Sequence, residues 1–321
     1  MPLLRTSSDQ VLASARSNDG RNRWPAFGDE RMEGLVHAHC TPSFTIDAGD
    51  RIFTIGSCFA REVERRLSEL KFELPMYGAV IDDELARLGQ SYAFKNKYNS
   101  ASIRLELEWA LDSSRPMDDS LFVILPDGSW HDLFFAPDKL VHLTAEDAQC
   151  ARRLVEGAVQ GVRQCRIVII TLGLSEVWLD TRTGLHINAT PPIQALKADR
   201  ERFVFEVQSY DEILADLEAI HEALSRRGHP EFKILITVSP VAFKSTLRGE
   251  DVICANTYSK AVLRTAVEAF RLAHENVDYF PSLEIAMHSP RRAVYKDDNR
   301  HVLPQAVSTI VDRFLAEYAT A

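Results

Sequence analysis

No stretch of the chain approaches the ~20 consecutive apolar residues that span a bilayer. The amino-terminal segment MPLLRTSSDQ has no apolar core of signal-peptide length. Lysine and arginine form no long run, and a net charge of −9 leaves no basic excess to neutralise phosphates. Neither membrane insertion nor nucleic-acid binding is expected, and the acidic balance reads as a solubility feature. Cysteine is sparse: Cys40, Cys58, Cys150, Cys165 and Cys254 are scattered, with no CxxC pair and no ordered zinc spacing. Disulfides and a bound metal are not expected, and a reduced, cytoplasmic compartment fits best. There is no Gly-rich loop to cradle phosphates, no internal repeat and no low-complexity tract, and no resident cofactor is expected.

What is present is ordinary globular material: 321 residues, 45% hydrophobic and 26% charged. Residues 1–45 are polar and irregular and read as an arm that packs through Trp24 and Phe27. Residues 46–321 read as one domain. Its apolar runs RIFTI (51–55), RIVIITL (166–172), KILITV (233–238) and VDYF (277–280) suit parallel strands covered on both faces. Helices alternate with them. Ala60, Val63, Leu67 and Leu70 make one apolar stripe, with Arg61 outside it. Thr144 caps a helix to about residue 164, and Ser209 with Glu212 forms a capping box. A helix starts near Asn256, and Pro304 fits a first helical turn. The alternation predicts a doubly wound α/β domain. Residues 75–143 and 180–208 break the rhythm and read as β and loop insertions decorating the rim of the active site.

The stretch RIFTIGSCFAREVERRL (51–67) places Gly56, Ser57 and Cys58 where a strand meets a helix. Ligands bind at this rim in open α/β sheets. A helix amino terminus favours a thiolate and lowers its pKa. Cys58 is thus a candidate nucleophile, with Ser57 either donating a hydrogen bond or acting as nucleophile itself; the plainer alternative is a buried core cysteine. Gly56 permits a tight turn and a close approach of substrate. Near the carboxyl end, Asp298 precedes His301 by three residues, so one turn folds the carboxylate onto Nδ1–H and leaves Nε2 free to take a proton. The plainer alternative is a surface helix cap by Asp298 with His301 solvated, but the pair lies beyond the last strand, on the same rim as Gly56–Cys58. TLGLSEVW (171–178) brings Gly173 and Ser175 to the same rim, either as oxyanion donors or as a turn and a helix cap. Ser239 and Lys244 follow a strand, and Arg292 and Tyr295 approach the Asp298–His301 turn. Either His131 or His142 is a candidate pocket residue, against the more ordinary structural role, while Trp109, Trp130 and Trp178 suit the core, with stacking on sugar rings as the alternative.

TIGSCFA followed by a helix resembles the defining motif of the GSCFA-domain family, within the larger group of SGNH/GDSL hydrolase-like folds. KYNSASI, TLGLSEVW, TVSPVAF, NTYSKAVL, YFPSLEI and RRAVYKDDNRH resemble further family blocks in order, over roughly residues 40–316. The resemblance implies a flavodoxin-like three-layer α/β/α sandwich with a mostly parallel sheet. It also implies acyl-ester chemistry, as an esterase or acyltransferase, with bacterial surface carbohydrate as a substrate. A thiol nucleophile suits transfer from a thioester, which admits acyl-coenzyme A as a donor. Set on the wider group's turn, Gly56 falls on its Gly, Ser57 on its Asp and Cys58 on its nucleophilic Ser; Asp298 and His301 match its Asp-x-x-His. Its Gly-x-Asn block falls on Gly173-Leu174-Ser175, which lacks the oxyanion Asn. Either Ser175 substitutes or another amide, such as Asn99 or Asn256, takes that place. The departure also admits an alternative, a non-catalytic carbohydrate-binding or interaction protein on a decayed scaffold.

Overall fold

The computed structural model describes residues 2–16, 21–88, 92–112, 118–136 and 140–318. Helix α1 (Ser8–Arg16) precedes strand β1 (Ile52–Gly56), which leads directly into α2 (Cys58–Glu69). Helices α3 (Ala79–Arg87) and α4 (Ser100–Leu111) follow, then strands β2 (Phe122–Ile124) and β3 (Trp130–Asp132), α5 (Ala145–Gln160) and β4 (Ile167–Leu172). Next come β5 (Glu176–Asp180), β6 (Leu185–Ile187), α6 (Ile193–Ala198) and β7 (Phe203–Val207). The alternation resumes with α7 (Tyr210–Arg227), β8 (Lys233–Val238), α8 (Val252–Ala273) and β9 (Val277–Tyr279). Helices α9 (Ser282–His288), α10 (Arg291–Val294) and α11 (Pro304–Tyr318) end the described chain.

The four apolar runs form one parallel sheet in the order β1-β4-β8-β9. Successive side chains leave a strand on opposite faces, so each run divides into two sets. Phe53, Ile55, Val168, Ile170, Ile234 and Ile236 pack with Ile103, Val155, Leu217 and Leu263 of α4, α5, α7 and α8. Ile52, Ile167, Ile169 and Leu235 pack with Phe59, Val63, Leu67, Ile285, Val307 and Ile310 of α2, α9 and α11. The result is the expected three-layer α/β/α sandwich. Register matters for the site: Gly56 pairs with Thr171, and Thr171 with Thr237. The residues just beyond these three therefore share one rim.

Most helix signals hold as read. Thr144 accepts from Asp147 N, and the Ser209–Glu212 capping box forms. The cap of α8 differs: Asp251 accepts from Ile253 N at 2.7 Å, so the helix begins a turn before Asn256. Arg61 is not outside the α2 stripe. It is buried against Glu64 at 2.6 Å and the Thr54 carbonyl at 3.2 Å, which ties the helix to β1.

The segment 75–143 is more than a decoration. Helix α4 buries most of its length against α5 and α7. Charged residues hid it, because Glu106 faces inward. Glu106 accepts from Lys97 Nζ at 2.5 Å and from Arg152 Nη1 at 2.8 Å, and Arg152 also holds Asp132; all four side chains are buried. Breaking a buried pair strands the remaining charge. Arg152→Ala is therefore expected to lower stability by about 3–5 kcal/mol, read as a drop in the urea midpoint at unchanged m-value. The second insertion is a three-stranded antiparallel sheet, β6-β5-β7, opening at Glu176.

The arm docks differently from the expectation. Phe27 is fully exposed, and Trp24 only meets the edge of the His288 ring, at 5.4 Å between centroids. Residues 35–46 make the contact instead. Arg313 donates to the Leu35 and Val36 carbonyls at 2.8 and 2.6 Å, and Ile46 N donates to Tyr318 O at 2.8 Å. Phe44 and Ile46 belong to the core on that face. Buried backbone partners and the packing of Phe44 and Ile46 outweigh two aromatics flanked by turn residues.

Candidate active site

A cleft of about 950 Å³ opens at the carboxyl rim of the sheet, lined by Ser57, Cys58, Gly173, Ser239 and His301 among others. Its walls come from the inserted β-sheet (Trp178, Phe205), from the loop after β8 (Val241, Phe243, Lys244) and from Phe135 and His131. Trp178 thus lines the site, whereas Trp109 is core and Trp130 packs beside it.

The first turn is tighter than the sequence suggests. Gly56 is still in β1 and Cys58 is already helical, so Ser57 alone makes the turn. Gly56 has φ +143°, and a Cβ there would lie 2.2 Å from the Thr171 carbonyl oxygen. No side chain fits. The Gly56 carbonyl accepts from Lys97 N at 2.8 Å, and Ser57 N donates to Thr171 O at 3.2 Å. Gly56 therefore shapes the turn without lining the cleft.

Ser57 occupies the N-cap of α2 yet caps nothing. Its hydroxyl lies 3.4 Å from Thr171 Oγ1 and is buried. Cys58, at the first helical position, is partly exposed to the cleft. Its thiol does not follow the expected downward shift. Burial pushes it up, while the charges of Lys260 and Arg300 pull it down less strongly. Desolvation of the thiolate wins over the helix terminus here.

Lys260 is a residue that sequence reasoning passed over. It sits in NTYSKAVL on α8, fully buried, and donates from Nζ to the Gly173 carbonyl at 2.6 Å. Burial lowers its pKa to about 7, and Cys58 is the partner that opposes this. A lone lysine on an amphipathic helix carries no signal of burial. Arg300, also missed, lines the cleft and donates to the Ala242 and Phe243 carbonyls at 3.2 and 3.1 Å.

The Asp298–His301 turn forms as read. Asp298 Oδ2 bonds His301 Nδ1, and Oδ1 accepts from the backbone N–H groups of Arg300 and His301, both at 3.0 Å. The His301 hydrogen bond, with these two, holds the carboxyl far below the usual carboxylate range. A carboxylate can only accept, so Nδ1 carries a proton, and in the neutral ring Nε2 holds the lone pair. Lys296 N donates to His301 O at 2.8 Å, and Tyr295 Oη to Pro240 O at 3.3 Å, fastening the turn to the loop after β8. Tyr295 is a buttress and Arg292 is exposed; neither lines the cleft. His301 and Cys58 face the same cleft, and no hydrogen bond joins them among the described residues.

The expected oxyanion donors do not come together. Gly173 N and Leu174 N both donate to Tyr98 O, at 3.2 and 2.9 Å. Gly173 is required because a Cβ would lie 2.7 Å from that oxygen. Ser175 is buried off the cleft, its N–H given to Ser259 Oγ at 2.9 Å. Asn99 caps α4 through Ser102 N and donates to Ile187 O at 3.1 Å. Asn256 accepts from Phe243 N at 3.1 Å, which orders the loop after β8. Asn99 and Asn256 are committed to folding, and the Ser175 hydroxyl is buried away from the cleft without a partner among the described residues. The amides that do line the cleft are Asn96 and Asn188. Asn188 Oδ1 accepts from Tyr98 N and Ser102 Oγ, and its Nδ2 donates to Asn96 O, whereas the buried Asn96 Oδ1 has no partner. The N–H groups of Cys58 and Phe59, at the start of α2, have no helical acceptor.

These features define a parallel α/β/α protein with a cysteine at its first strand–helix turn and a carboxylate-held histidine on the same rim. The GSCFA family model matches residues 51–314, and the chain belongs to that family. Comparison with curated proteins returns no match. No described helix is long and apolar enough to cross a membrane.

Proposed function

We propose that the cleft performs acyl-ester chemistry, hydrolysis or acyl transfer, with Cys58 as nucleophile and His301 as base. The observation that carries this reading is that Cys58, at the start of α2, and His301, oriented by Asp298, line one cleft. The fold suits the SGNH-like grouping, which supports the same chemistry. Ser57 is the weaker nucleophile because its hydroxyl is buried against Thr171.

The thiol rests protonated, so the proton leaves as the bond forms. His301 Nε2 takes it while sulfur attacks the carbonyl carbon. The oxyanion faces the N–H groups of Cys58 and Phe59, where the helix terminus favours negative charge. Asn96 lines the same cleft, and its side-chain NH2, which reaches Tyr98 Oη at 3.4 Å, is the amide donor it brings there. As the tetrahedral species collapses, His301 returns the proton to the leaving alcohol or thiol. A water or sugar hydroxyl then attacks the acyl-cysteine, losing its proton to His301, and the departing sulfur regains that proton. Trp178 and Phe205, with centroids 5.5 Å apart, give the wall an apolar face suited to a sugar ring of a bacterial carbohydrate ester. A reducing cytoplasmic setting would keep the thiol available.

Lys260 supports the thiolate only while charged. Below pH 7 its ammonium is present; above, burial has removed the proton. Lys260→Met should slow iodoacetamide alkylation of Cys58 about tenfold at pH 6.5, and the difference should narrow by pH 9. Equal rates at pH 6.5 would contradict the assignment.

A second reading, a non-catalytic carbohydrate-binding module, is favoured by the committed N–H groups of Gly173 and Leu174. Intact-mass spectrometry after incubation with acyl-coenzyme A thioesters and p-nitrophenyl esters separates the two. An acyl adduct on the Cys58 peptide is expected. Sugar binding with neither adduct nor turnover across the panel would favour the second reading.

A further inference from the structure

Where residues 35–46 dock on α11, two imidazoles converge on one carboxylate oxygen. His37 Nε2 and His39 Nδ1 each lie 3.4 Å from Glu317 Oε1, and the three donor atoms fall within 4.8 Å of one another. The histidines are two apart in the chain, and their ring centroids lie 3.9 Å apart, so both face the same side. Cys40 holds the other carboxylate oxygen, donating to Oε2 from its N–H at 3.0 Å and from its thiol. Oε1 is thereby turned toward the rings.

We propose that His37, His39 and Glu317 form a binding site for a zinc-type divalent cation, which pins the docked segment to the end of α11. A separation of 3.4 Å is longer than the ~2.7–3.2 Å of an N–H···O hydrogen bond. It matches the edge of a tetrahedron whose metal–ligand legs are about 2.0–2.1 Å. Two imidazoles and a carboxylate are a donor set that zinc takes, with a fourth position left for water. Cys40 acts behind the ligands, fixing the carboxylate as outer partners of metal sites do. The side chains of His37, His39 and Glu317 are 36%, 31% and 17% exposed, so an ion can enter. Arg313 places a positive charge nearby, which opposes a cation. Its guanidinium is turned to the Leu35 and Val36 carbonyls, which take its hydrogen bonds. Glu317 sits near the far end of α11, about 20 Å along the helix from Pro304, so this site is separate from the Cys58–His301 cleft.

Isothermal titration of the metal-stripped full chain with Zn²⁺ tests the proposal. One equivalent should bind with Kd of about 1 µM or tighter. The double variant His37→Ala/His39→Ala should keep its circular dichroism and lose this affinity by about a hundredfold or more. Should that variant unfold, Co²⁺ substitution of the wild type decides, with visible d–d bands of tetrahedral coordination expected. No Zn²⁺ uptake, equal uptake by a folded double variant, or Co²⁺ bands of thiolate ligation would each overturn the site.

Discussion

Cys58→Ala is expected to lose at least about 10³-fold in turnover of any ester or thioester that the wild type cleaves, and to trap no acyl adduct. The sulfur is the atom to which the acyl group would be joined, so nothing at position 58 replaces it. Ser57 lies next in the chain but turns its hydroxyl to Thr171 Oγ1, inside the turn that Gly56 and Thr171 close. Ser57→Ala should therefore stay within about tenfold of wild type, the cost of lost packing and of one weak hydrogen bond. Reversal of that order would transfer the nucleophile to Ser57. Loss in neither variant would remove acyl-enzyme chemistry from this cleft.

His301→Ala is expected to lower turnover by about 10²–10⁴-fold. Because burial pushes the Cys58 thiol up, the resting site holds thiol and not thiolate, and the proton must move within the chemical step. Asp298→Asn should produce much of the same loss. An amide can offer Nδ1 a donor instead of an acceptor, which selects the wrong tautomer. Asp298 itself sets no neutral-range limb of the pH profile. Its depressed pKa keeps it ionised throughout, and any stability it contributes is present above the unfolded carboxylate value and lost only as acid protonates it. Its exposure keeps that contribution small. A His301→Ala enzyme with an unchanged rate and pH profile would rule out this role.

Much of the scaffold was legible in the sequence because continuous apolar runs have one good use in a chain of this size. RIVIITL and KILITV can bury both faces only in the middle of a parallel sheet, and they do. The Ser209–Glu212 box and Thr144 were legible because caps act over three or four residues. Helix α4 was not, since inward-facing Glu106 is recognisable only once Lys97 and Arg152 are brought to it from elsewhere in the chain. The same reason divides the site. Cys58, Asp298 and His301 announced themselves through local spacing. Asn99 and Asn256 were plausible by type and proved to be committed to a helix cap and a loop. Asn96 and Lys260 carry no local signature, and their position follows from packing alone. His37-x-His39 shows only two donors, and its carboxylate lies at the opposite end of the chain.

The two ends of the sequence are held here to work as one catalytic unit, and a double-mutant cycle on turnover tests that most directly. Residues acting in one step are not additive. The Cys58→Ala/His301→Ala double variant should be no slower than the worse single variant, within about threefold. Losses that multiply would show that the thiol and the imidazole act independently, and would contradict a shared mechanism.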